Sequence, residues 1–124
     1  MRVSKQLAWF AICVLAFGLC ASASQNKFGV ADTRTIELVA PTWVGDTLLP
    51  SGDYKVVHTM EGQDHIMVFS QLNTHKPAEA RVKCQLVNLA KKADQDQLFF
   101  TTNPAHQRVL HVLVFHGDSA QHVF

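Results

Sequence analysis

The chain is poor in cysteine and in charge, and each shortage removes a class of function. Three cysteines occur in 124 residues, and two of them, Cys13 and Cys20, lie in an apolar run at the start. Loss of that run leaves Cys84 alone, so no internal disulfide can form. The thiol is then either buried as a small hydrophobe or exposed and paired between chains, and its alternation with Val82 and Leu86 favours burial. Charged residues make up 17% of the chain and its net charge is +1. Only Lys91 and Lys92 are adjacent cations, whereas binding a phosphate backbone needs a clustered patch, so nucleic acid is not an expected partner. The G-x-S-x-G elbow, the H-E-x-x-H helix, the glycine-rich phosphate loop and paired carboxylates in an apolar run are all missing. A Cys84 nucleophile would need access, which an inward position beside Val82 and Leu86 denies. The expectation is a protein that is not an enzyme.

A hydrophobic run long enough to span a bilayer is missing as well. Leu7 to Cys20 is 14 residues, short of the roughly 20 a membrane helix requires. With Arg2 and Lys5 before it and Ala21-Ser22-Ala23 after it, the run reads as a secretory signal peptide over 1–23. Leu19 before Cys20 does not suit a lipoprotein site. The expected mature product, 24–124, is a single β domain, secreted or periplasmic, with no membrane span after cleavage. All seven histidines lie in it, so it can gain several charges between about pH 7 and 5.

From Thr33 onward, apolar or alternating runs of four to eleven residues are divided by turn clusters. The runs are Thr35–Ala40, Thr42–Leu49, Tyr54–Met60, His65–Gln71, Ala80–Ala90, Gln97–Thr102, Val109–His116 and Gln121–Phe124. Short strands at this spacing predict an all-β fold, a small antiparallel barrel or a two-sheet sandwich of about seven to eight strands. Pro50-Ser51-Gly52 suits a bulged hairpin turn, and Gly62-Gln63 a two-residue turn with glycine first. The second turn sets Met60 opposite His65 and His58 opposite Met67. Tyr54, Val56, His58, Met60, His65, Met67 and Phe69 then share one face, expected to point inward. Residues 78–93 resist the pattern. Pro77 and the spacing of Val82, Leu86, Leu89 and Ala93 suit a helix, which would make the fold α+β, while Val82, Cys84 and Leu86 suit a strand. The expected core is Ile36, Leu38, Trp43, Leu48, Tyr54, Val56, Met67, Phe69, Val82, Cys84, Leu86, Leu98, Phe100, Leu110, Val112 and Val114.

Three segments carry a resemblance. They are Gly45-x-x-Leu48-Leu49-Pro50-x-Gly52-x-Tyr54-Lys55-Val56, the Ala80-x-Val82 run ending in Lys91-Lys92-Ala93-Asp94, and Leu110-x-x-Leu113-x-Phe115-x-Gly117-Asp118-Ser119. With the leader, they make the chain similar to a group of uncharacterised small secreted β-proteins of acidobacterial type. The resemblance implies that Ala80–Ala90 is a strand, and it brings no activity, substrate or site residues.

Two sets of residues are candidates for binding. His58, Met60, His65 and Met67 place two imidazoles and two thioethers on one hairpin face, donors that suit Cu(I), although Met and His also fill irregular cores. No other cofactor is expected. Trp43, Phe99 and Phe115 are the aromatic residues expected to form an exposed patch for a small hydrophobic ligand or a protein partner. His111 and His116, five apart on one strand, point to opposite faces and cannot share an ion unaided. Val109–Phe115 is apolar on both sides apart from His111, which suits a central strand or one whose outer face meets a partner. The function expected is that of a non-catalytic exported binding or surface-accessory module, with soft-metal binding as the alternative.

Overall fold

The computed structural model describes residues 28–124, and these form nine strands and no helix. The expected leader lies outside the described residues. The strands are β1 (Thr33–Leu38), β2 (Thr42–Val44), β3 (Thr47–Leu49), β4 (Gly52–Glu61), β5 (Asp64–Gln71), β6 (Glu79–Asn88), β7 (Gln97–Thr102), β8 (Arg108–Val114) and β9 (Ala120–Val123). They are ordered β1-β4-β5-β6-β9-β8-β2-β3, with β7 on β8. The sheet is open, so the barrel alternative is set aside. It is also mixed: β2 meets β8 in parallel at Trp43 and Val109, while all other pairs are antiparallel.

The strand count exceeds the expected seven to eight because Thr42–Leu49 is not one run. It turns at Gly45, whose φ is +58°, a conformation that glycine adopts without penalty. A Cβ there would come within 3.0 Å of Val82 Cγ2, so the β2–β3 turn lies close against β6. The helix alternative at 78–93 gives way to β6, which is held along its whole length. Glu79 to Cys84 pair with β5, and Gln85 to Asn88 pair with β9. Ladder bonds to two neighbours outweigh the helix propensity of the segment.

β6 thus joins two halves of the sheet, β1-β4-β5 on one side and β9-β8-β7 with the β2–β3 hairpin on the other. The halves fold over one core, built from Ile36, Leu38, Tyr54, Val56, Met67 and Phe69 against Val44, Leu49, Leu110, Leu113 and Phe115, with Ala80 and Cys84 of β6 between. Burying each large side chain contributes roughly 1.5–3 kcal/mol. Pro50-Ser51-Gly52 does not close the expected hairpin: it joins β3, which pairs only with β2, to β4, which pairs with β1 and β5. At this corner Gly52 has φ +147°, and the Tyr54 hydroxyl donates to the Pro50 carbonyl at 2.7 Å.

The β4–β5 register is as expected, with Met60 opposite His65 and His58 opposite Met67. The first two core residues of the β2–β3 hairpin are not. Thr42, Val44 and Leu49 point inward, and Trp43 and Leu48 point out. The hairpin begins one residue out of phase with a plain alternating run because Gly45-Asp46 forms its turn.

A second change of phase occurs in β8. Phe99 pairs with Val112 but Phe100 pairs with Leu110, so His111 is the extra residue of a bulge. Its carbonyl accepts the Phe124 backbone N–H at 2.9 Å. The bulge turns Leu110 inward before it and Leu113 and Phe115 inward after it, which is how a strand apolar on both sides fills the core from positions of both parities.

Candidate functional site

Two features carry chemistry, one inside the fold and one on its surface. Inside, where the β4–β5 hairpin closes, β4, β5, β6 and β9 bring three histidines and the cysteine together. His58 and His122 are 5% and 1% exposed, and Cys84 is buried. His58 Nε2 lies 3.0 Å from His65 Nδ1, and Cys84 Sγ lies 3.9 Å from His122 Nδ1. The His58 and His122 ring centroids are 5.9 Å apart, Phe28 stands edge-on to His65 at 4.8 Å, and Phe115 does the same to His122 at 5.8 Å.

Sheet geometry explains the gathering. His65 sits directly opposite Met60 on one side and Cys84 on the other, and His122 sits opposite both Leu86 and Leu113. All therefore project to the same face. Burial and the positive charges of the neighbouring rings pull His122 down to about 4, with Arg34 adding to the effect. His58 is lowered by burial and then by His65, against an opposing pull from Asp32. Burial pushes the Cys84 thiol up to about 11. At neutral pH the cluster is thus two neutral rings and a protonated thiol, a state unsuited to nucleophilic attack. The His58–His65 bond needs one nitrogen to donate and the other to accept, so it is lost when both rings carry two protons. A cleft of about 360 Å³, lined by Asp64, His65, Lys83, Cys84, Gln85, Val123 and Phe124, opens beside the cluster.

Met60 and Met67 lie on this face with His58 and His65, as the hairpin register requires, and Met67 is in the core. Among the described residues no group of three or more His, Cys, Asp or Glu side chains is placed to hold a metal ion. The remaining histidines stay apart. His106, His111 and His116 are exposed, and the bulge takes His111 out of the interior. The Cys84–His122 contact joins residues 38 apart in sequence, and only the pairing of β6 with β9 makes it visible.

On the surface, the β9-β8-β7 half presents an apolar outer face. Leu48, Trp43, Val109 and Thr101 form one row in register, and Val123, Val112 and Phe99 form the next. Leu48, Val87 and Phe99 are 42%, 43% and 47% exposed. Trp43 is half-buried, its indole N–H donating to Gln107 Oε1 at 2.8 Å. Of the three expected patch residues, Trp43 and Phe99 belong to this face. Phe115 does not: it is 1% exposed, turned into the core by the β8 bulge. Leu48 and Val87 replace it, and the hairpin phase that exposes Leu48 is the signal that alternation alone misses. The loop 89–95 walls a second cleft of about 360 Å³ over Gln97, Phe99, Val114 and Gln121 on the same side.

Compared with protein-family models, curated proteins and solved structures, the chain matches none. The functional reading therefore rests on its own geometry.

Proposed function

We propose that the protein is a non-catalytic binding module that works outside the cytoplasm after loss of its leader, and that its working surface is the outer face of β2, β3, β7, β8 and β9, bordered by Val87 of β6. The observation that carries this is the coincidence of Leu48, Val87 and Phe99, three large exposed hydrophobics, on one side of one half-sheet. Contiguous apolar surface of this kind marks binding sites for apolar ligands or partners. The inert state of Cys84 supports a role without catalysis. Trp43 is the one tryptophan outside the expected leader and reports on the face directly. Titration with an uncharged alkyl detergent below its micelle concentration is expected to shift Trp43 emission, and Leu48→Ser with Phe99→Ser to weaken the response by about tenfold. Emission that ignores the detergent, or a double variant that responds like the parent, removes the reading.

A second reading, binding of Cu(I), rests on the placement of His58, Met60, His65 and Met67 on one hairpin face, and it requires the 3.0 Å His58–His65 hydrogen bond to open so that both rings can turn a lone pair to the ion. Soft thioether and imidazole donors suit that ion. Replacing Met60 and Met67 by Leu is expected to abolish binding in a cuprous titration while sparing the fold. Equal binding by the double variant rejects copper.

A further inference from the structure

Three strands border the sheet with one side lacking a strand neighbour, β1, β3 and β7, and they are protected very differently. β1 carries Arg34 and Glu37, and Arg34 reaches Asp118 Oδ1 at 2.8 Å and the His116 carbonyl at 3.1 Å, which ties that edge to the β8–β9 turn. β3 is three residues long, too short to template another chain. β7 has none of these devices. Its sequence Gln-Leu-Phe-Phe-Thr-Thr holds no charge and no proline over six residues, and its one-residue irregularity lies in β8, so the edge itself stays regular. Charged residues, prolines, bulges and shortness are what keep sheet edges apart in solution.

We infer that β7 pairs with β7 of a second copy of this chain, antiparallel about a twofold axis at Phe99. The occupant follows from complementarity. In a sheet continued across the axis, residues opposite each other must share a face, and the register centred on Phe99 satisfies this along the strand. Phe99 meets its own counterpart on the outer face, Leu98 meets Phe100 on the inner face, and Gln97 meets Thr101. No pair contains a charge, so no like charges oppose each other, and aromatic cross-strand pairs add to the ladder. Just beyond the start of the strand, Asp96 comes against Thr102, again without repulsion. Self-pairing of one patch about a twofold axis closes as a dimer and leaves no further edge. The outer faces of the two copies then meet at the Phe99 pair, flanked by Gln97 and Thr101. The dimer goes beyond the binding reading, because edge backbone groups carry the one and the face carries the other.

Analytical ultracentrifugation of the purified protein, from micromolar to sub-millimolar concentration, is expected to show a monomer–dimer equilibrium, weakened more than about tenfold by Phe99→Lys, which sets like charges together on the axis. Oxidation of Phe99→Cys, in a chain whose other cysteines are changed to Ser, is expected to give a covalent dimer, and Thr35→Cys on β1 is expected to give none. A parent that stays monomeric throughout, a Phe99→Lys variant as dimeric as the parent, or equal cross-linking from positions 99 and 35 overturns the dimer. A monomer that still shifts Trp43 emission with detergent overturns the dimer alone and leaves the binding face standing.

Discussion

The two halves of the sheet share one core but present opposite outer faces. Outside β1-β4-β5, the register sets Thr35 beside Lys55, Ser70 beside Glu79, Val68 beside Arg81 and Ile66 beside Lys83. Ion pairs run across it, Lys83 to Asp64 at 3.3 Å and Arg81 to Glu61. Ile66 is buried there, in the position that long cationic stems cover. Outside β9-β8-β7 the same positions hold Leu48, Trp43, Val109, Val112, Val123 and Phe99, and no ion pair crosses them among the described residues. Two faces of similar backbone thus differ in one respect: one is furnished to stay in water and the other is not. The contrast teaches where to look for a partner, since a solvated face has no need of hydrophobic rows.

The largest test is of the shared core. Phe69 belongs to one half and Phe115 to the other, and both are fully buried. Phe69→Ala and Phe115→Ala are each expected to cost about 3–5 kcal/mol in a single cooperative transition followed by denaturant. Two separate transitions would show that the halves are independent and that the comparison is between two domains.

Next in size is a pH dependence that arises inside, where the halves meet. The folded state holds His122 at about 4, below the ordinary value near 6.5 of the unfolded chain. Between those values the unfolded chain binds more protons, so stability is fully present above about pH 6.5 and falls as pH drops toward 4. The loss from His122 is about 3 kcal/mol on this scale, and His58 adds to it in the same direction. Denaturation midpoints from pH 7 to 4.5 check it, and His122→Leu is expected to flatten the slope. A parent whose midpoint does not move breaks the account of the cluster.

The outer faces give the smallest and most discriminating effects. Lys83→Ala removes an exposed ion pair and is expected to change stability by about 0–1 kcal/mol. Phe99→Ser, on the other half, is expected to leave unfolding within about 0.5 kcal/mol of the parent while lowering the fluorescence of a bound apolar dye. If Lys83→Ala alters dye binding as much as Phe99→Ser, the two faces are not different in the way the register implies.

Much of the fold was legible where a turn states its own geometry. Gly62 has φ +61°, and the two-residue turn it starts fixes every pair from Tyr54–Gln71 to Glu61–Asp64, so the inward histidine and methionine face of β4 and β5 could be read directly. The competing helix pattern at 78–93 was settled by pairing on both edges of β6, and no local signal shows such pairing. Trp43 and Leu48 were misplaced because a three-residue strand is too short to reveal its phase. Phe115 was misplaced because the His111 bulge reverses the phase of β8, where the His111 carbonyl accepts the backbone N–H of Phe124. The binding face was legible only in outline, as a run apolar on both sides. Its membership needed the register of six strands, β2, β3, β6, β7, β8 and β9.

Periodicity and turn residues by themselves determined that this protein is made of strands, which hairpin closes at Gly62 and which side of that hairpin is buried, because backbone preference and alternation act over a few neighbouring residues. The tertiary structure alone decided that the sheet folds over without closing, that β2 runs parallel to β8, that Cys84 meets His122, and that one outer face is left apolar. Those outcomes depend on contacts between residues tens of positions apart, and the free energy of such contacts exists only once the chain has brought them together.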